Sequence, residues 1–272
     1  MAEAAKPLRV GALVPVRLAS ERLPGKALLE IEGRPVLAHL LDRVLAAREI
    51  DPELVVVCTT TDRADDSLTP VVEGCGARIF RGSRDDLVDR LGCARAAFDI
   101  DVVVQVDGDD PCADPGYMDR LVSALRDDPS ADVVTIEGLP LGIATKAIRA
   151  RAFAAVQMAY RTHANDTGFG YYFTRSGLCV VKTLEADAAD RDDEARLTLD
   201  YEEDLQFFRA LFAALWSPTR LFGVREIVEC LRSQPALRAI NMGRSPEYWR
   251  RTAAKVHLEF DDPATGARKR IK

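Results

Sequence analysis

Histidine is scarce in this chain: His39, His163 and His257 are the only three in 272 residues, and they lie far apart. That leaves no histidine cluster for a metal centre or a nucleophile–base triad. The six cysteines are scattered without a Cys-x-x-Cys pair, which points to buried free thiols in a reducing cytoplasm and away from zinc. No apolar run is long enough to span a bilayer, and no secretory leader is recognisable; the opening Met1-Ala2-Glu3-Ala4-Ala5-Lys6-Pro7 reads as a frayed start. The Walker A pattern Gly-x-x-x-x-Gly-Lys-Ser/Thr and the three-glycine dinucleotide fingerprint are both missing. Internal repeats and low-complexity linkers are missing too. A net charge of −6 argues against nucleic acid as a partner. A cytoplasmic protein free of membrane is expected.

Against that acidic background stands one local excess of positive charge. Arg17-Leu18-Ala19-Ser20-Glu21-Arg22-Leu23-Pro24-Gly25-Lys26 follows the apolar run Val10-Gly11-Ala12-Leu13-Val14-Pro15-Val16, which reads as a buried strand. Arg17, Arg22 and Lys26 on one short loop suit a polyanion, and Gly25 lets the backbone approach a ligand closely. Open α/β sheets bind ligands in the crevice beyond their strand ends, so a triphosphate site is expected here. A solvated arginine-rich loop is the plainer alternative; placement directly after a strand favours the phosphate site. Without a glycine cradle, binding would rest on side-chain cations.

Strand-like runs over 54–58, 77–80, 101–106 and 132–136 alternate with helical stripes over 36–45, around Val71 and Val72, over 87–98 and over 118–125. This alternation predicts an α/β fold: a mostly parallel sheet flanked by helices on both faces. The second half is less regular, with a helix over 152–156, a strand over 177–181 and an exposed acidic loop over 185–194. Amphipathic helices follow over 205–215 and 224–231. The tail 246–272 is charged and reads as surface or disorder. Residues 1–272 thus form a single domain, with an excursion around 138–180.

Two acidic groups complement the basic loop. The strand over 101–106 runs into Asp107-Gly108-Asp109-Asp110-Pro111, and its uniform hydrophobicity marks it as central. Carboxylates at a strand end suit Mg²⁺, which takes one or two of them and completes its shell with water and phosphate. A polar turn explains the same residues, since Asp-Gly and Asp-Pro are common turn formers. The second group lies in Arg196-Leu197-Thr198-Leu199-Asp200-Tyr201-Glu202-Glu203-Asp204-Leu205. Acids in a first helical turn complement the helix dipole, so Glu202, Glu203 and Asp204 need no catalytic role. Asp200, at a strand end, could face Asp109 across a cleft and hold one or two Mg²⁺ ions against a triphosphate.

These motifs, in this order, resemble those of CTP-dependent sugar-acid cytidylyltransferases, of the spore-coat polysaccharide type and the CMP-3-deoxy-manno-octulosonate synthetases. The resemblance begins at Val14-Pro15-Val16-Arg17 with Ser20-Glu21-Arg22-Leu23-Pro24-Gly25-Lys26. It continues through Phe80-Arg81-Gly82-Ser83 with Asp85, Asp86, Asp89 and Arg90, then Gly108-Asp109-x-Pro111 and Leu139-Pro140-Leu141-Gly142. It closes with Arg196 to Asp200, Glu203-Asp204-Leu205 and Ala239-Ile240-Asn241, so it spans residues 9–243. It implies a nucleotide-diphospho-sugar-transferase-like (Rossmann-like) fold, usually a homodimer, that couples CMP from CTP to an acidic acceptor and releases pyrophosphate. Carried over by position, Arg17, Arg22 and Lys26 would be the catalytic, triphosphate-holding cations. Arg81, Gly82 and Arg90 would lie on the nucleotide side, and Asp109 and Asp200 would bind Mg²⁺. No general base is assigned, because metal coordination could lower the acceptor hydroxyl's pKa by itself.

The chain also departs from the family. Asp107 stands where the octulosonate enzymes typically carry Gln, and Ile143-Ala144-Thr145-Lys146 replaces an acidic run. Asn165-Asp166-Thr167-Gly168-Phe169-Gly170-Tyr171-Tyr172 occupies the place of a His-Val-Thr-Pro-Tyr-like segment. These stretches would line the acceptor pocket. Lys146, Arg149 and Arg151 hint at a phosphonate or phosphorylated acceptor as the alternative to a sugar acid, with helix-surface charge the reading favoured for Arg149 and Arg151. A glycosyltransferase using Asp107-Gly108-Asp109 as its Asp-x-Asp motif is the further alternative.

Overall fold

The computed structural model describes residues 7–271; the start expected to fray, over 1–6, lies outside the described residues, as does Lys272. Strand β1 (Val10–Pro15) leads through the basic loop to a tight hairpin of β2 (Glu30–Ile31) and β3 (Arg34–Pro35), then helix α1 (Val36–Leu45). Next come β4 (Val55–Thr60), α2 (Thr69–Gly74), β5 (Arg78–Gly82), α3 (Leu87–Ala97), β6 (Val102–Gln105) and α4 (Pro115–Asp127). Strands β7 (Val133–Glu137) and β8 (Lys146–Arg149) precede α5 (Ala150–Ala159), α6 (Gly170–Thr174) and β9 (Val181–Glu185). Helices α7 (Glu202–Leu215), α8 (Val224–Ser233), α9 (Pro235–Met242) and α10 (Ser245–Lys255) follow, and β10 (Leu258–Asp261) pairs with β11 (Arg268–Ile271).

Seven strands form one sheet in the order β5-β4-β1-β6-β8-β7-β9. The pairs are parallel except at β8, which runs antiparallel between β6 and β7. The mostly parallel sheet is therefore as expected, and the strand ending at Gln105 is indeed central. The alternation of side chains sets the layers. Val10, Ala12 and Val14 of β1, with Val55, Val57, Val102 and Val104, face the core beneath α1, α4, α7 and α8. Leu13, Val56, Cys58 and Val103 face the opposite core, built with Val88, Leu91, Phe153 and Tyr172. A one-residue slip of any central strand would exchange these two sets, so register is firmly fixed.

One expectation needs correction and two need refining. The strand placed over 177–181 lies over Val181–Glu185 instead. Gly177, at φ 80°, turns the chain. Leu178 and Cys179 then pack against the α5–α6 core, so pairing with β7 starts only at Val181. The acidic loop over 185–194 is not simply exposed: Asp190 is buried, accepting from the Tyr117 hydroxyl at 2.8 Å and from Arg225 at 3.0 Å. The charged tail lies largely at the surface, in line with one of its two readings, but Leu258, Phe260 and Ile271 bury against Phe153 and Tyr172. Its charge run is the outward face of a hairpin, where Arg268, Lys269 and Arg270 pair with Asp261, Asp262 and Glu259.

Candidate active site

The carboxyl ends of β1 and β6 lie side by side, because Leu13 is in register with Gln105. Gly108 brings them closer still: a Cβ there would lie 2.5 Å from the Pro15 carbonyl oxygen and from Val16. Only glycine lets the 107–110 turn press against the start of the basic loop. A second contact of this kind docks the other acidic segment. Gly142, at φ 92°, would carry a Cβ 2.2 Å from the Leu197 carbonyl oxygen. Residues 196–200 thus run alongside 139–142 as an extended segment rather than a regular strand, with Leu197 N donating to Leu141 O at 2.7 Å.

The outcome is convergence. The Lys26 ammonium donates to Asp109 Oδ2 at 2.6 Å, to Asp200 Oδ1 at 2.9 Å and to the Leu199 carbonyl at 2.7 Å. Arg22 pairs with the same Asp200 Oδ1. Residues distant in sequence therefore meet in one cleft of about 660 Å³, which Arg17, Arg90, Asp107 and Asp110 also line. Burial favours neutral Lys26, but Asp109 and Asp200 outweigh it and hold the ammonium pKa above its usual value. Burial likewise opposes ionisation of Asp200, but Lys26 and Arg22 win and its carboxyl lies low. For Asp109 the balance reverses: burial outweighs Lys26, aided by Asp200 and Asp107, and its pKa is raised. Asp110 is pushed up further, by burial, then by Asp109 and Asp107.

Asp200 is held from behind. Arg196, fully buried, gives Nη2 to Asp200 Oδ2 at 3.0 Å and clamps Asp204 through Nε and Nη2 at 2.9 and 3.0 Å. Asp204 accepts the backbone N–H of Asp200 and Tyr201 at 2.9 and 3.0 Å, and Asn241 bridges Asp204 and the Arg196 carbonyl. Asp204 thus does more than complement a helix dipole; it positions Asp200. Asp65 does the same for the basic loop, accepting Leu18 N at 2.8 Å and the hydroxyls of Thr59 and Thr60. Sequence reasoning passed over Asp65, which resembles any acid in a turn.

The remaining expected site residues divide. Arg17 lines the cleft and pairs with Asp166 and, at 3.5 Å, with Asp85. Arg90 lines it too, almost wholly buried, with Nε lacking any partner among the described residues. Arg81 and Gly82 do not line it. Arg81 is tied to Asp66 at 2.8 Å and to the Thr60 carbonyl at 3.2 Å, while Gly82 packs against the Arg90 side chain. Asp107 lines the cleft as well, its Oδ1 accepting from Gln105 Nε2 at 2.8 Å. Of the three acceptor-side cations, only Lys146 lines the cleft. Arg149 donates to the Leu125, Asp128 and Ala131 carbonyls, and Arg151 to Asp132, both closing off the end of α4. The unforeseen wall is α10, which contributes Tyr248, Trp249, Arg251, Thr252 and Lys255.

The donor set suits a hard divalent cation. Two carboxylates already converge on one cationic group, Lys26, and all the donors are oxygen. Among the described residues no three His, Cys, Asp or Glu are gathered to hold a metal alone. Mg²⁺ needs only one or two carboxylates when phosphate and water complete its shell. Cysteine plays no part: all six are free, and only Cys93 is exposed. No helix among the described residues is long and apolar enough to cross a membrane.

Residues 11–209 match the cytidylyltransferase family. The spore coat polysaccharide biosynthesis protein SpsF of Bacillus subtilis is 30% identical over 208 residues, covering 74% of this chain and 85% of that protein. The 3-deoxy-manno-octulosonate cytidylyltransferase of Geotalea daltonii is 30% identical over 220 residues, 79% of this chain and 81% of its own. A cytidylyltransferase from Leptospira borgpetersenii shares the fold at a TM-score of 0.77 and 23% identity, over 85% of this chain and 97% of that one. The extent of these matches establishes that the chain whose basic loop and paired aspartates meet in this cleft belongs to the cytidylyltransferase family of nucleotidyltransferases.

Proposed function

We propose that this protein transfers the cytidylyl group of CTP to an acidic small molecule, a sugar acid of the nonulosonate or octulosonate type, with Mg²⁺ and with release of pyrophosphate. The observation that carries the proposal is the bridge of Lys26 between Asp109 and Asp200, with Arg22 on the same carboxylate. Arg17, Arg22 and Lys26 hold the triphosphate, Asp109 and Asp200 hold the metal, and Arg90 bounds the nucleotide side. A divalent cation held there supplies charge neutralisation for the phosphates. An acceptor oxygen forms a bond to the α-phosphorus while the bond to the bridging oxygen of pyrophosphate breaks, and the acceptor proton passes to solvent. Such transfer needs positioning and electrostatic stabilisation more than a protein nucleophile.

One observation favours a second acceptor class. Lys146 lines the cleft and forms no ion pair among the described residues, its Nζ meeting only Gln105 Oε1, at 3.4 Å. A free cation there suits a phosphonate or phosphorylated acceptor. The Asp-x-Asp glycosyltransferase reading is set aside by family membership. A pyrophosphate-release assay over four nucleotides and a panel of sugar acids and phosphonates tests the whole reading. Release from CTP alone is expected, with the acceptor dependence naming the class. Release from another nucleotide but not CTP removes the base assignment. The same reading makes the protein a homodimer, and light scattering that finds the mass of a single chain would remove that part.

A further inference from the structure

We infer that Arg251 and Lys255 of α10 form a second cationic wall that binds the β- and γ-phosphates and then the departing pyrophosphate, with Glu21 keeping their place until phosphate arrives. This rests on the nucleotidyl-transfer reading and adds to it two binding residues on a helix beyond the 11–209 stretch matched to the family.

Both side chains line the cleft that holds Arg17, Arg22 and Lys26. Tyr248, Arg251, Thr252 and Lys255 recur at helical spacing, so one face of α10 looks into the cleft. Arg251 Nη2 and Lys255 Nζ donate to the same oxygen, Glu21 Oε2, at 3.1 and 2.9 Å. Glu21 is itself a member of the basic loop, between Arg17 and Arg22. Its carboxyl pKa is lowered by the Lys255 hydrogen bond first, with Arg251 and Arg17 adding to the effect. A single carboxylate therefore sits where loop cations and helix cations meet, as a phosphate oxygen would.

Charge supports the exchange. Arg22 and Lys26 are committed to Asp109 and Asp200, and Arg17 to Asp166 and Asp85. A triphosphate needs more positive charge than these leave free. Two cations against Glu21 leave a surplus at the cleft mouth. The pairs are exposed, with side-chain accessibilities of 69% for Glu21, 40% for Arg251 and 47% for Lys255, and exposed ion pairs contribute little. Displacing Glu21 is thus easy, and the phosphate oxygens that replace it accept charge-assisted hydrogen bonds. Cations placed on the leaving-group side stabilise the charge that develops on pyrophosphate as its bond to the α-phosphorus breaks.

Calorimetric titration of the full chain with pyrophosphate, with and without MgCl₂, tests the wall apart from turnover. R251Q/K255Q should bind about tenfold more weakly than wild type. Glu21→Gln, which frees both cations, should bind about two- to fivefold more tightly. These opposite signs separate a binding role from damage to the fold, which thermal melting also checks. Arg250, exposed on the same helix and outside the cleft lining, is the control: Arg250→Gln should leave affinity within about twofold of wild type. Unchanged affinity in R251Q/K255Q, or an equal loss in Arg250→Gln, overturns the wall while pyrophosphate release from CTP by the wild type still stands. A wild type that neither binds pyrophosphate nor releases it from CTP overturns both.

Discussion

Lys26 is the residue on which the site turns. Its ammonium is the shared partner of the carboxylates of Asp109 and Asp200, so removing it leaves a buried acid and a half-buried one repelling each other. Lys26→Ala should raise the KM for CTP by about tenfold or more, through the lost phosphate contact. Asp109→Asn should instead abolish turnover by removing a metal ligand. Steady-state kinetics on both variants checks the pair. Full activity in Asp109→Asn would move the metal or deny it. Asp65 makes a different prediction. Burial opposes its ionisation, but the hydrogen bonds from Thr60, Leu18 and Thr59 prevail and hold its carboxyl below the usual range. A depressed folded pKa stabilises the protein above the unfolded value of about 4, and that stability is lost as pH falls through the lower folded value. Asp65→Asn should therefore cost about 1–3 kcal/mol at neutral pH and flatten the acid limb of the stability curve. Urea melts at several pH values read this, and an unchanged acid limb would contradict it.

At the scale of elements, the site is built by close packing of backbone on backbone. The segment from Arg196 to Asp200 has no regular strand of its own and relies on Gly142 below it and on Asp204 and Asn241 behind it. Gly142→Ala places a Cβ against the Leu197 carbonyl at a positive φ, which should cost about 1–3 kcal/mol and shift Asp200. The expected result is a lower melting temperature together with reduced kcat; a stable variant with full kcat would show that the segment does not need this contact. These devices were hard to read from the sequence. Acids opening α7 look like dipole complementation whether or not one of them clamps a buried arginine. Strand β8 gives only a short mixed-polarity run, Lys146 to Arg149, so its antiparallel insertion left no periodic signal. Arg149 and Arg151, for which surface charge is the favoured reading from sequence, indeed lie outside the cleft, bonded to the end of α4 and the turn after it.

For the molecule as a whole, the long apolar strands made the sheet legible. Runs such as Val55 to Cys58 and Val102 to Val106 can only be buried, and their alternation with helical stripes fixes a parallel core. Once the sheet is parallel, loops after β1 and β6 must share one edge, and that is why Lys26 and Asp109 could be paired before any coordinates. The convergence of Asp200 needed the family resemblance as well. What composition concealed was the tail: charge made α10 look like mere surface, although one of its faces is a wall of the cleft. In this acidic chain, net −6, the cleft sets cations and carboxylates side by side, with Arg17, Arg22, Lys26, Arg251 and Lys255 facing Glu21, Asp109 and Asp200.

A crystal structure with CTP and Mg²⁺ bound would show whether the basic loop and the two aspartates share one ligand. The triphosphate should lie along residues 17–26, with the metal between its oxygens and those of Asp109 and Asp200. Density for the nucleotide outside this cleft, or for a metal that touches neither aspartate, would contradict that placement.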